Sequence, residues 1–246
     1  MTTTFREMNE APSSTQFWLR VTFTFIVGYF TKLLSCLIHE LFGHGLWAWI
    51  FGADRIWFYV SWLGFGWCKW QGLDGSYIAR VMVMAGGLID TSIVGVAALI
   101  FLYLTRRRGS FYLRFLLFWL GFWASTTQAA YLILGGLVGT GDPASLSRIT
   151  GVPLVSFIVL GLALFLSAYI IISILFLSEM APLFPEYSKG TLLFIFWLII
   201  PLQVFLLAAS PEHKLTFEQF TLSLALSILP SLVSIIFKQK INSIKP

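Results

Sequence analysis

From Phe17 to Gly52 the only charged or imidazole side chains are Arg20, Lys32, His39, Glu40 and His44. Continued as one α-helix, that stretch would be about 54 Å long, against a bilayer hydrocarbon core of about 30 Å. It must therefore cross a membrane and tilt, bend or protrude from it. The rest of the chain agrees. Of 246 residues, 58% are hydrophobic and 11% charged. A soluble domain carries about 25% charged residues, and disorder needs low hydrophobicity with high charge, so both are excluded. Residues 1–16 are polar, and the apolar run behind them far exceeds a signal-peptide core, so no cleavable signal is expected. Two cysteines, Cys36 and Cys68, imply no disulfide framework.

The expected fold is an all-α polytopic membrane protein of about six transmembrane helices, with a short β-like membrane-associated segment after the first. The spans read as about 17–52, 77–105, 111–138, 152–178, 191–209 and 217–237, forming one membrane domain over 17–237. A polar tail of 1–16 precedes it and a basic tail of 238–246 follows. Residues 53–76 are aromatic and glycine-punctuated. IWFYVSW, then LGFG, then WCKWQ predicts a hairpin or re-entrant ribbon at the interface, where Trp and Tyr are at home. Most basic residues flank apolar runs, a pattern of membrane orientation that points away from a nucleic-acid partner. With six spans, Arg6, Arg20, Arg106, Arg107, Arg108, Arg114, Lys189, Lys238, Lys240 and Lys245 share one side. Arg55, Lys69, Arg80, Arg148 and Lys214 fall on the other. The richer side is cytosolic by the positive-inside rule, which puts both termini in the cytosol.

The chemistry-bearing sequence is Cys36-Leu-Ile-His39-Glu40-Leu-Phe-Gly43-His44-Gly-Leu-Trp-Ala-Trp-Ile-Phe-Gly52. Ionisable groups within a membrane helix are costly and are functional candidates by default. Histidine is a common zinc ligand, and a glutamate beside a ligating pair can take a proton from a metal-activated water. Asp90, near the middle of the second span, is a second costly carboxylate that needs a partner. Weaker candidates are Lys32, Cys36, the polar run Ser125-Thr126-Thr127-Gln128 and His213. These read respectively as a snorkelling or paired charge, packing, helix–helix hydrogen bonding and a solvated loop residue. Arg106–Arg108 read as an orientation signal or a contact for anionic lipid.

HELFGHGLWAWIFG resembles the HELGH-plus-small-residue helix of the site-2 protease family of intramembrane zinc metalloproteases. In that family a β-rich membrane-associated segment follows the helix, as 53–76 does here. Ala85-Gly86-Gly87-Leu88-Ile89-Asp90 is similar to the family's AGPLAN-like helix start. Gly139-Thr140-Gly141-Asp142-Pro143 occupies the region in which the family supplies an aspartate as third zinc ligand. The likeness covers roughly residues 22–153. It implies Zn²⁺ held by His39, His44 and Asp142, with Asp90 the runner-up third ligand, and Glu40 as catalytic base. The implied partner is a transmembrane segment of another protein, locally unwound within the bilayer and able to pair with the 53–76 ribbon by strand addition. Bacterial relatives place that ribbon on the cytosolic side, opposite to the charge count.

Two departures from the family stand out. The chain reads HExxxH, not HExxH, and lacks the NxxPxxxLDG motif near Asp142. On an α-helix, residues four apart differ by about 40° and residues five apart by about 140°, so a regular helix would turn His39 and His44 to different faces. One π-bulge would realign them, with Gly43 lowering the resistance to it. A soluble zinc dipeptidyl-peptidase family is similar in having HELLGH, so the longer spacing is compatible with catalytic zinc. Two other functions fit the residues: a non-catalytic, metal-stabilised membrane subunit or chaperone, and an ion or proton transporter relaying through His39, Glu40 and Asp90.

Overall fold

The computed structural model describes residues 14–105, 110–184, 187–209, 216–237 and 240–241. Arg106–Arg108, His213 and most of both tails lie outside the described residues. In chain order the elements begin with α1 (Ser14–Leu37), a π-helical stretch (Ile38–Gly45), α2 (Leu46–Ile50), β1 (Arg55–Val60) and β2 (Gly66–Gln71). They continue with α3 (Tyr77–Thr105), α4 (Phe111–Val138), α5 (Gly141–Thr150), α6 (Leu154–Glu179), α7 (Lys189–Trp197), α8 (Ile199–Ala209) and α9 (Phe217–Ile236). The chain divides into two compact units, one of Phe25–Ala168 and one of Met1–Thr24 with Tyr169–Pro246.

The expected number of membrane-crossing helices is corrected. Among the described residues four helices are long and apolar enough to cross a bilayer: Val21–Ile50, Tyr77–Thr105, Leu154–Glu179 and Phe217–Ile236. The expected span at 111–138 forms a helix, but Ser125-Thr126-Thr127-Gln128, with Trp119, Trp123 and Tyr131, dilutes its apolar run. The expected span at 191–209 is two short helices broken at Leu198. Pro201 has no N–H to give the carbonyl of Trp197, so the α-helical ladder is interrupted there. The hairpin expected in 53–76 is present. β1 and β2 pair antiparallel from Arg55↔Gln71 to Val60↔Gly66, and residues 61–65 turn between them.

In the larger unit α3 and α4 run antiparallel in close contact. A Cβ added at Gly95 would meet Ser125, and one added at Gly121 would meet Leu99, so glycines let the two backbones approach. α4 is central to this unit: Phe115, Phe118, Phe122, Ala124 and Ala129 are at most 1% exposed. Trp123 Nε1 donates to the carbonyl of Gly28, tying α4 to α1. Thr126 donates back to the carbonyl of Phe122 within α4, and Thr127 accepts from the Lys32 ammonium at 3.3 Å. Lys32 therefore does not snorkel. It is buried, with its ammonium 5.5 Å from the ring centroids of both Phe65 and Trp123.

The smaller unit packs α7 and α8 on α9. α9 turns a stripe of Ser223, Ser227, Ser231 and Ser234 inward, small residues that permit close helix contact. Tyr169 and Ser234 share a hydrogen bond of 3.2 Å, and the indole of the buried Trp197 donates to Ser173.

Candidate metal centre

The helix that begins at Ser14 changes pitch where the histidines lie. Ile38–Gly45 is π-helical, and the N–H of Leu46 reaches back five residues to the carbonyl of Leu41. That pitch absorbs the extra residue of His39-Glu40-Leu41-Phe42-Gly43-His44 and brings His39 and His44 to one side, their ring centroids 4.9 Å apart. Gly43 has a second role. A Cβ there would collide with the backbone of Gly87, and one at Gly86 would collide with the carbonyl of Gly43 and the indole of Trp47. Contact between glycine backbones thus seats α3 against the π-helical stretch. It also brings the carbonyl of Val83 within 2.7 Å of His44 Nδ1. Nδ1–H donates to that carbonyl, which fixes the tautomer and leaves a lone pair on Nε2.

Asp142 arrives from the far end of α4. α4 ends at Gly139, whose φ of 72° is the left-handed conformation that closes many helices. Thr140 is extended and Gly141 has φ of 68°, so the chain reverses over two residues and α5 starts at once. Asp142 falls in the first turn of α5, followed by Pro143, which needs no hydrogen bond there. The backbone N–H of Asp142 donates to the Tyr131 hydroxyl at 3.2 Å.

The three side chains meet. His39 Nε2 lies 3.1 Å from Asp142 Oδ2, His44 Nε2 lies 3.2 Å from the same oxygen, and the two Nε2 atoms are 3.2 Å apart. All three residues are buried. A tetrahedral divalent cation with bonds of about 2.0–2.1 Å separates its ligand atoms by about 3.3 Å, close to this triangle. Two imidazole nitrogens and a carboxylate oxygen are also a donor set such ions accept. The space in front of them is kept clear by Gly87, where a Cβ would stand 2.7 Å from His39 Nε2 and 2.8 Å from His44 Nε2. The cluster can hold a metal ion.

Glu40 stands beside this triangle without joining it. It is buried, within electrostatic range of both histidines and Asp142, and among the described residues nothing hydrogen-bonds its carboxylate. The inner face of the hairpin covers it. Gly66, Cys68 and Trp70 alternate inward along β2. A Cβ at Gly66 would stand 2.8 Å from Glu40 Cγ and 3.1 Å from Cys36 Sγ, and the Trp70 ring stacks on His44 at 6.3 Å. Burial, then the Glu40 carboxylate, push the Cys68 thiol up to about 12, and Cys68 is not one of the three residues whose ligand atoms converge.

Asp90 stays out of the cluster. Its Oδ2 accepts a hydrogen bond from Trp47 Nε1 at 3.0 Å. Sequence reading passed over Val83, whose contribution is a backbone carbonyl and carries no side-chain signal. It also passed over Tyr131, which stands 11 residues before Asp142 across a turn. Comparison with family models, curated proteins and solved structures finds no match to this chain.

The clearance at Gly87 gives a direct test of the cavity. In Gly87→Ala the methyl group is expected to lower metal content by at least about tenfold, the size of effect that displaced supporting groups have on metal sites. Gly75→Ala, where a Cβ meets nothing within 4 Å, is expected to match the wild type. Metal analysis of the purified variants decides it, and wild-type content in Gly87→Ala would show that the cleared space is not where an ion sits.

Proposed function

We propose that this protein is an intramembrane zinc metalloprotease that cuts transmembrane segments of other membrane proteins. The observation that carries the reading is the triangle of His39, His44 and Asp142 with Glu40 uncommitted at its side, all buried in a unit whose first helix is apolar enough to cross a bilayer. His39, His44 and Asp142 would hold the ion as three protein ligands, the number that leaves a catalytic zinc one open position. Bound there, zinc would supply Lewis-acid activation of water and polarisation of the scissile carbonyl.

The chain's own groups do the rest. Glu40 accepts the proton of the attacking water and passes it to the departing amine, the work of a general base that then acts as general acid. The Val83 carbonyl keeps His44 in the tautomer that offers Nε2. The hairpin has two strands only, so each carries an outer edge with no partner strand among the described residues. An unwound substrate segment would add there and expose its carbonyls beside Glu40. The basic residues of the two tails and of Arg106–Arg108 favour cytosolic termini.

The test is metal-dependent cleavage. Protein purified in detergent and reconstituted into vesicles should contain about one zinc ion per chain, as a single three-ligand site requires. It should cut members of a panel of transmembrane peptides. A chelator should stop cleavage and added zinc should restore it, because the ligands hold no other source of the activated water. Full cleavage after demonstrated metal removal would sink the reading, and so would a zinc-loaded protein inert towards the whole panel. The latter result would favour a metal-stabilised subunit.

A further inference from the structure

Tyr131 on α4 is not needed to hold the metal, yet its hydroxyl is held at the site from three directions. Its oxygen accepts the backbone N–H of Asp142 at 3.2 Å. Its ring meets the His39 imidazole edge-on, centroids 5.7 Å apart at 77°. Gly141, at a positive φ of 68°, leaves the room the hydroxyl occupies, because a Cβ there would collide with it. The same hydroxyl lies within electrostatic range of both Asp142 and Glu40. A phenol has one proton to give as well as lone pairs to offer. Here the Asp142 N–H uses a lone pair, while no acceptor for the proton stands among the described residues. The result is a fixed donor with its hydrogen uncommitted, beside the ligands and the base.

We propose that Tyr131 is a catalytic residue whose hydroxyl hydrogen-bonds to the oxygen of the scissile carbonyl as that oxygen becomes negative. The proposal rests on the peptidase reading and adds a group to it. Water oxygen bonds to the carbonyl carbon, the π pair of the C=O bond moves onto the carbonyl oxygen, and Glu40 takes the proton of the water. Tyr131 donates a hydrogen bond to that oxygen and transfers no proton, so it returns unchanged when the C–N bond breaks and the amine leaves with the proton from Glu40. A donor held in place before charge develops stabilises the transition state more than the substrate, because no reorganisation is required at that moment.

The experiment is Tyr131→Phe, which keeps the ring against His39 and deletes only the hydroxyl. Three readouts are compared with wild type: zinc content, kcat and KM on a cleaved transmembrane peptide, and affinity for a phosphinic analogue of that peptide, whose tetrahedral anionic oxygens imitate the developing charge. The expected result is retained zinc, little change in KM, and a fall of about 10²–10³-fold in kcat, the size of effect for loss of one such donor. Phosphinate affinity should fall with kcat. Unchanged kcat and phosphinate affinity would overturn the proposal. So would loss of zinc in step with kcat, since the hydroxyl would then serve only to position Asp142 through its N–H. A wild-type protein that neither cuts peptides nor binds the phosphinate would defeat the peptidase reading and this proposal with it. That outcome is distinct from a working wild type matched by Tyr131→Phe.

Discussion

Glu40→Gln is expected to abolish peptide cleavage while zinc stays bound. Glutamine keeps the length and shape of the side chain but cannot accept a proton from the attacking water, and loss of such a group costs about 10²–10⁴-fold in rate. Three features make the expectation specific to this residue. Glu40 is buried, it lies beside the His39–His44–Asp142 triangle without being one of its three converging ligand atoms, and no described group competes for its carboxylate. Zinc content should therefore match wild type, as should the affinity for an uncleaved peptide. Cleavage at near wild-type rate would remove Glu40 from the role of base. Loss of zinc with loss of activity would make it a ligand instead.

Asp142→Ala is expected to empty the metal site, with an effect larger than the about 10–100-fold that altering a supporting hydrogen bond costs. Its Oδ2 is within 3.1 and 3.2 Å of the two Nε2 atoms, so its removal leaves two imidazoles and an open cavity. Asp90→Ala is the matched control. That carboxylate is engaged by Trp47 Nε1, and its loss should disturb the packing of α3 on α2 while leaving zinc bound. Titration of both purified variants with zinc gives the ranking. If Asp90→Ala loses the metal and Asp142→Ala keeps it, the third ligand is not the one the geometry indicates.

Much of the site was legible before the fold. The spacing of His39 and His44 excluded a regular α-helix if both were to serve one ion, and the chain answers with π-helical pitch over Ile38–Gly45. That inference needs only the angle per residue, which is a local quantity. The hairpin was legible for the same reason: aromatic alternation and glycines at 64 and 66 are short-range signals, and β1 and β2 lie inside the stretch that carries them. The spans were less legible. Long apolar runs marked 111–138 and 191–209 as crossings, but the polar run of α4 dilutes its hydropathy below that of the four long apolar helices, and Pro201 divides the second stretch in two.

Short-range signals in the chain thus account for the apolar helices, the pitch change around Gly43 and the paired strands after it. The tertiary structure decided which carboxylate completes the cluster. His39 and Asp142 are 103 residues apart, and Asp90 and Asp142 were both open as ligands on residue type alone. The choice came from contact between Gly43 and Gly86-Gly87, which sets α3 against the histidines, and from the Gly139–Gly141 reversal, which returns the chain to them after α4. The same backbone contact that leaves Asp90 to the indole of Trp47 carries the Val83 carbonyl to His44. Helix packing positions all of these groups at once, and packing depends on side chains far apart in the chain. No periodicity in a short window encodes it.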